Sequence, residues 1–250
     1  MSDEVEGEAG ASGGLMSHLL ELRLRLMRAV LALGLVFIAL FPFANDLYAL
    51  LAEPLLRYLP EGGQLIAIDV ASPFFAPMKL AFFVALLITM PFLLYQAWAF
   101  VAPGLYRNEK RLALPLLLAA VLLFYSGLAF AFFVLLPTMF AFLAATVPDG
   151  VAMMTDINAY LGFVLVMGLA AGLAFEVPIA VLVAMQLRWV TPAQLSEWRG
   201  YVIVAIAIVA ALLTPPDGLS MLLLMLPMWL LYEAGLLVGR LLIRPLPADA

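Results

Sequence analysis

The sequence predicts an all-α integral membrane protein with six transmembrane helices, and three observations carry that prediction. Of the 250 residues, 66% are hydrophobic and 12% are charged, whereas soluble domains are roughly 45–50% apolar and about 25% charged. The mean hydropathy is +1.13. The apolar residues also form continuous runs long enough to cross a bilayer. A soluble single-domain enzyme is thereby excluded.

The apolar runs divide the chain into two tails and a membrane domain. Composition predicts a disordered acidic tail over 1–14 and a C-terminal tail over 245–250. The transmembrane domain fills 15–244. Because the runs are continuous rather than alternating, helices are favoured over barrel strands. The predicted spans are 26–44, 74–102, 112–136, 157–187, 200–213 and 218–239.

The six spans differ in how they begin and end. The first is short unless the amphipathic stretch before it joins in, and the second is uninterrupted. Pro137 closes the third, while Glu176 interrupts the fourth and Pro178 bends it. The fifth ends early, before Thr214, so the last two spans form a short hairpin that favours local thinning of the bilayer. Glu233 lies near the end of the sixth.

Basic residues set the predicted orientation. Six spans put both termini on one side, and all but two of the 12 Lys and Arg residues fall on that side. Positive residues stay in the cytoplasm, so both termini are predicted to be cytoplasmic. The exceptions are Arg57 in the first outer loop and Lys79 at the outer edge of span two. The long outer loop 45–71 has the pattern of a short helix on the membrane surface.

The sequence lacks the residues that several kinds of metal site, nucleotide site and catalytic site require. The chain has no cysteine and one histidine, His18, so thiolate and histidine-cluster metal sites are excluded, and we expect no metal or cofactor. The net charge of −5 argues against a nucleic-acid partner. Neither a phosphate-binding loop nor a nucleophile elbow is present, and the acidic start is unlike a cleavable signal peptide. Binding or conduction is therefore favoured over catalysis, and no residue is assigned a catalytic role.

Glu176 is the most costly residue in the predicted spans. A carboxylate at the bilayer centre costs roughly 2.5–3.5 kcal/mol on the insertion scale. Gly168, Gly172 and Glu176 share one helix face, where two glycines allow another backbone to approach. One interpretation is a polar pocket for a substrate or a partner helix, and the other is a protonated Glu bonded to a neighbouring helix. A proton-coupled small-solute transporter using Glu176 is the alternative function.

Three further acidic residues are candidates at the membrane faces. Glu21 precedes Arg25 by four residues, and Glu109 lies among three basic residues. Together they are suited to a dibasic ligand, because each carboxylate accepts a guanidinium bidentately. Local salt bridges explain the same spacing equally simply. Asp217 is either a helix cap or a functional residue, and an intramembrane enzyme using Glu176 and Asp217 is a third, weaker hypothesis.

Five well-separated motifs carry a family resemblance. They read HLLELRxRL at 18–26, SPFF at 72–75, FVAPGLYxxExR at 100–111, FEVP at 175–178 and LTPPD at 213–217. In these motifs the chain resembles the TatC family, the multi-spanning receptor subunit of the twin-arginine protein translocase. The resemblance covers about residues 15–244 and implies a glove-like bundle with a concave face.

The resemblance also implies a function. Such proteins bind twin-arginine signal peptides of folded cargo at the cytoplasmic face of the bacterial inner membrane. By motif match, Glu21 and Glu109 engage the two arginines, and Arg23 belongs to the same surface. The implied partners are the single-span TatA and TatB subunits in a multimeric complex, and the implied energy source is the proton-motive force.

A second group of residues is implied to lie inside the membrane. By motif match, Glu176, Thr214 and Asp217 line the concave face, where a signal peptide or a partner helix inserts. Many relatives carry a polar Gln four residues after the Asp of the turn, whereas this chain has Met221. A polar contact to a partner is therefore not expected at that level.

Overall fold

Helices make up almost the whole of the described protein. The computed structural model describes residues 3–56, 64–101, 113–148, 154–214 and 217–242. The helices are α1 (Asp3–Leu40), α2 (Ala44–Leu56), α3 (Ser72–Val101), α4 (Ala113–Phe130), α5 (Leu136–Ala145), α6 (Ile157–Ala174), α7 (Val177–Gln186), α8 (Pro192–Glu197), α9 (Arg199–Leu213) and α10 (Gly218–Leu242). Two short strands, β1 (Gln64–Ile66) and β2 (Met154–Asp156), complete the described elements.

Five helical stretches of the described chain are long and apolar enough to cross a membrane. They are His18–Leu50, Ser72–Val101, Leu114–Ala145, Ile157–Gln186 and Gly218–Leu241. Arg199–Leu213 is a sixth, shorter apolar helix, as its early end in the sequence predicts. The predicted class of helical membrane protein is confirmed.

The first helix begins earlier than the sequence predicts. Helix α1 starts at Asp3, so the backbone is helical in a segment whose composition predicts disorder. The assignment of 1–14 as a tail outside the membrane domain stays a prediction. After one 3₁₀ turn at Phe41–Phe43, α2 supplies a short helix within the first predicted outer loop.

The third span continues through a proline that the sequence predicts to end it. Helix α4 leads into a π-helical segment, Ala131–Leu135, and α5 then runs to Ala145. Pro137 lies in the first turn of α5, where the missing N–H is tolerated, because the π segment changes the hydrogen-bond register just before it. The span therefore extends beyond the predicted end at residue 136.

The fourth span breaks where the sequence predicts a bend. Helix α6 ends at Ala174 and α7 begins at Val177, with Pro178 in the first turn of α7. Glu176 immediately precedes α7, at the junction of the two helices.

Small residues let the central helices approach closely. A Cβ on Gly127 of α4 would lie 2.5 Å from the carbonyl oxygen of Ala171 on α6. A Cβ on Gly172 would lie 2.7 Å from the ring of Phe124. The sequence expects a neighbouring backbone at Gly172, but the neighbour is an aromatic ring, and the close backbone approach occurs at Gly127 instead.

A network of strands and polar side chains joins the two segments that link the spans at one end of the bundle, here called the strand end. Strand β1 pairs in parallel with β2, with Leu65 opposite Thr155. Asp156 caps α6 by accepting from the backbone N–H of Ala159 at 3.1 Å, and it also accepts from that of Ile68 at 3.2 Å. These backbone donors hold the pKa of Asp156 below its usual value.

Asn158 extends the same network to α3. Its Nδ2 donates to Ser72 Oγ at 2.5 Å, and its Oδ1 accepts from Lys79 Nζ at 3.2 Å. Ser72 is fully buried at the start of α3. The strand end is therefore held by hydrogen bonds between segments far apart in the sequence.

Candidate functional site

The candidate site lies where α1 passes the C-terminal end of α3, at the end of the bundle opposite the strand end. The ring of His18 stacks on that of Phe100, with centroids 4.3 Å apart and an angle of 21° between the planes. Phe100 is the penultimate residue of α3. This stack fixes the motif around His18 next to the C-terminal end of α3.

Glu21 forms the predicted ion pair within α1. Arg25 Nε donates to Glu21 Oε1 at 2.9 Å and Arg25 Nη2 donates to the same oxygen at 2.5 Å. Arg25 Nη1 points across to α3 and donates to Gln96 Oε1 at 3.5 Å, near the limit for a hydrogen bond. The Glu21 side chain is 35% exposed and that of Arg25 is 21% exposed, so water and a ligand reach the carboxylate.

The ion pair borders an open depression of about 420 Å³. Its lining consists of Leu20, Glu21, Leu24, Arg25 and Arg28, all on α1. The surface thus combines one carboxylate with two guanidinium groups and two leucines. Glu21 is the only described lining side chain that can accept a guanidinium, and the two leucines add apolar surface beside it.

Of the other two residues predicted for this site, Arg23 lies within the described part of the chain and Glu109 does not. Arg23 is exposed on α1, between Glu21 and Arg25. Glu109 falls in 102–112, which lies outside the described residues. That segment directly follows Val101, one residue beyond the Phe100 ring that stacks on His18. Helix α3 therefore ends beside His18, three residues before Glu21 on α1.

Glu176 is half-buried at the α6–α7 junction, inside the bundle rather than at the site of Glu21. Its Oε1 is buried and has no hydrogen-bond partner among the described residues. The sequence leaves open whether Glu176 bonds to a neighbouring helix, and at this oxygen no such bond is formed within the described chain.

Thr214 and Asp217 complete the backbone hydrogen bonding around the turn between α9 and α10. Thr214 is buried and its Oγ1 donates to the carbonyl oxygen of Ala210 at 2.9 Å. Asp217 Oδ1 accepts from the backbone N–H of Ser220 at 2.6 Å and so caps α10. The other oxygen of Asp217, Oδ2, is buried without a partner among the described residues.

The structure does not bring Glu176 together with the turn. Pro178, two residues after Glu176, packs against Gly235, since a Cβ on Gly235 would lie 2.8 Å from Pro178 Cα. Asp217 lies at the opposite end of α10 from Gly235. A rise of about 1.5 Å per residue puts Gly235 and Asp217 about 27 Å apart along that helix. Glu176 and Asp217 thus lie at different depths.

Two contacts of the structure involve residues that the sequence reasoning does not assign to a site. Gln96 is a buried amide in a mostly apolar stretch of α3, and its Oε1 accepts from Arg25 Nη1. A single amide within an apolar stretch of the sequence is the feature that could have marked Gln96 as a candidate. Arg199 and Glu233 form an ion pair between α9 and α10, with Arg199 Nε and Glu233 Oε1 2.7 Å apart. The two residues are 34 positions apart in the sequence, so no short-range spacing pattern predicts this ion pair.

Comparisons with known proteins agree with these motifs. A family model described as "Sec-independent protein translocase protein (TatC)" matches residues 17–227. The chain is 54% identical over 225 residues to the Sec-independent protein translocase protein TatC of Azotobacter chroococcum mcd 1, covering 90% of this chain and 88% of that protein. It is 48% identical over 226 residues to the TatC of Escherichia coli K12, with the same two coverages.

A solved structure gives the same result for the fold. The crystal structure described as that of the twin-arginine translocase receptor TatC superimposes with a TM-score of 0.77 at 37% sequence identity. The superposition covers 90% of this chain and 98% of the other.

Proposed function

Since the chain belongs to the TatC family of Sec-independent protein translocase proteins, we propose that Glu21 and Glu109 bind the two arginines of a twin-arginine signal peptide. The chain functions in twin-arginine protein translocation, as its relatives and the receptor structure do. Arg23, exposed on the same helix, borders the peptide and orients it.

The observation that carries the proposal is the contact between α1 and the end of α3. The stack of His18 on Phe100 holds the C-terminal end of α3 beside the start of the motif that carries Glu21. Glu109 follows Val101, the last residue of α3, by eight residues in the sequence, which supports a shared surface for the two carboxylates. Glu21 is partly exposed there, as a binding group must be.

The chemistry explains why arginine is the recognised residue. A guanidinium presents a planar fork that matches the two oxygens of a carboxylate, whereas an ammonium is a compact point charge without that geometry. Lysine carries the same charge, so charge alone does not separate the two peptides. We expect a twin-lysine peptide to bind more weakly at matched salt concentration.

The setting of the site follows from the charge pattern of the sequence. We place both termini and the Glu21 surface on the cytoplasmic side of the bacterial inner membrane, because most basic residues fall there. The protein acts as a receptor without a catalytic step. It works in a multimeric complex with the single-span TatA and TatB subunits, and the proton-motive force drives transport.

Glu176 and the turn with Thr214 and Asp217 serve contacts inside the membrane at two depths. One oxygen each of Glu176 and Asp217 is buried without a hydrogen-bond partner among the described residues, and a polar group on an inserted helix would supply that partner. Because Gly235, which packs against Pro178, lies about 27 Å from Asp217 along α10, a single side chain does not reach both Glu176 and Asp217. A partner helix or the signal peptide that runs along the bundle does.

The test is a binding titration with the protein in lipid nanodiscs and a fluorescent twin-arginine peptide. We expect Glu21→Gln and Glu109→Gln each to weaken binding about tenfold or more, because a charge-assisted bond to arginine is lost in each. Glu197→Gln is the matched control, since Glu197 is exposed on α8 and loses the same charge. It leaves the affinity within about twofold of the wild type.

Equal affinities in all three variants would overturn the assignment and reduce Glu21 and Glu109 to local salt bridges. The alternative of a proton-coupled solute transporter gives way here, because the relatives share the name of a protein translocase. A solute-dependent proton flux in vesicles that contain this chain alone would restore it.

A further inference from the structure

We infer that Arg25 is an internal competitor of the signal peptide, because its guanidinium occupies the Glu21 carboxylate that an incoming arginine must take. The inference rests on the proposed function and adds the residue that sets how tightly that site binds. Peptide binding is then an exchange of one guanidinium for another rather than the filling of a free carboxylate.

The geometry of the ion pair is that of the expected ligand. Arg25 donates through Nε and Nη2 to one oxygen of Glu21. A signal-peptide arginine offers the same fork of donors to the same acceptor. The carboxylate is 35% exposed while Arg25 covers one of its oxygens, so a peptide reaches it from solution and completes the exchange by displacing Arg25.

Arg25 is held on its other side by α3, which leaves it a position after displacement. Its Nη1 is 3.5 Å from Gln96 Oε1, and Gln96 is buried. The depression next to the pair is lined by Arg25 and Arg28, so a released guanidinium stays at a solvated surface. Breaking an ion pair is costly when it leaves an unpaired charge buried. Displacement of Arg25 leaves its charge in contact with water, so this cost does not arise.

The strength of the pair suits a competitor. Ion pairs four residues apart on a partly exposed helix are weak, so Arg25 occupies Glu21 most of the time without locking it. A binding site that is free for only a fraction of the time has its affinity reduced by that fraction. The pair thus lowers the affinity of every cationic peptide by the same factor. Peptides that bind Glu21 only weakly therefore stay unbound at working concentrations.

The experiment is the nanodisc titration with twin-arginine peptide, applied to Arg25→Gln and its matched control Arg28→Gln. Both substitutions remove one positive charge from the same face of α1, so general repulsion of a cationic peptide falls equally. We expect Arg25→Gln to tighten binding about three- to fivefold, the effect of losing one such pair. Arg28 also lines the depression, so Arg28→Gln measures the effect of removing one positive charge alone, and Arg25→Gln is expected to tighten binding more than Arg28→Gln does.

Two further variants keep the test decisive. Arg25→Lys retains the charge but loses the fork, so it is expected to tighten binding about twofold, and it serves if Arg25→Gln fails to fold. In the background of Glu21→Gln, the gain from Arg25→Gln disappears, because the carboxylate over which the two cations compete is gone.

The outcomes separate the inference from the proposed function. If Glu21→Gln leaves affinity unchanged, the proposed role of Glu21 fails. If Glu21→Gln weakens binding but Arg25→Gln also weakens it, or tightens it no more than Arg28→Gln does, the competitor role is overturned and Arg25 instead positions the carboxylate.

Discussion

Helix α1 and the pair α6–α7 differ in how much of their surface the protein itself covers. In the most apolar window of α6–α7, 44% of the residues are buried, whereas in the corresponding window of His18–Leu50 none are. Glu21 lies on the exposed helix and Glu176 on the central one. The helix that carries Glu21 therefore packs along α3 but leaves every residue of that window at least partly exposed, while the central helices maintain the frame.

This difference separates binding from stability. Substitutions on α1 should change peptide affinity and leave the free energy of unfolding almost unaltered. Substitutions at the contacts of α4, α6, α7 and α10 should do the reverse. The predictions below test that separation with pairs of identical substitutions, one in each kind of environment.

The largest effect is expected from adding one methyl group at a close helix contact. Gly127→Ala places a Cβ 2.5 Å from the carbonyl oxygen of Ala171, a backbone atom that moves only with its helix. We expect a loss of about 2–3 kcal/mol in the free energy of unfolding. Gly34→Ala on α1 meets nothing within 4 Å. It should be neutral or stabilising by up to about 1 kcal/mol.

The free energy of unfolding of each variant is measured by titrating the protein, held in mixed detergent micelles, with SDS. Similar losses at Gly127 and Gly34 would break the distinction between the two regions. They would mean that α1 packs as tightly as the central helices.

A smaller effect is expected from removing one buried hydroxyl. Tyr232 is 2% exposed, and its hydroxyl donates to the carbonyl oxygen of Leu195 at 2.7 Å, which ties α8 to α10. Tyr232→Phe leaves that carbonyl without its donor and should cost about 1–2 kcal/mol. Tyr201 is 79% exposed on α9, so Tyr201→Phe should change stability by less than about 0.5 kcal/mol.

The same titration reads both tyrosine variants. A stability loss from Tyr201→Phe as large as that from Tyr232→Phe would show that burial does not govern the cost in this bundle.

The smallest effect concerns pH and the strand end. Backbone donors of Ala159 and Ile68 lower the pKa of Asp156 in the folded protein. A lowered folded pKa means that the charged carboxylate adds stability above the pKa of the unfolded chain, and this stability declines as the pH falls below about 4. The protection factors of the Ile68 and Ala159 amides, which compare observed exchange with the intrinsic rate at each pH, should therefore fall in acid.

Asp156→Asn is expected to abolish this acid-dependent difference, and Asp46→Asn, at an exposed position on α2, should retain it. Exchange at Ile68 that responds to acid equally in Asp156→Asn and the wild type would assign the effect to another group.

Much of this architecture was predictable because the bilayer restricts backbone structure. Spans must be helical and about 20 residues long, so hydropathy alone indicated α3, α6–α7, α10 and the short α9. The break at Glu176 followed from Pro178. Pro137 misled the same reasoning, because a π-helical segment that no sequence rule signals lets the helix continue to Ala145.

The contacts between distant segments were not predictable from one sequence. The pairing of β1 with β2 involves strands of three residues each, too short for a periodic pattern. The start of α8 was predictable, since Thr191 and Gln194 have the spacing of a capping box and a proline, Pro192, begins the helix. At the site, the spacing of Glu21 and Arg25 predicted their ion pair, but only the fold brings Gln96 to it.

The assignment of the two carboxylates is tested most directly by site-specific crosslinking. A twin-arginine peptide with a photoprobe beside its arginines is added to membranes that contain the wild-type chain or the double variant Glu21→Ala and Glu109→Ala. A twin-lysine peptide is the second control. We predict crosslinks to the amphipathic start of α1 and to the segment 102–112, which are lost in both controls. Equal labelling in all three samples, at equal protein levels, would contradict the proposed site.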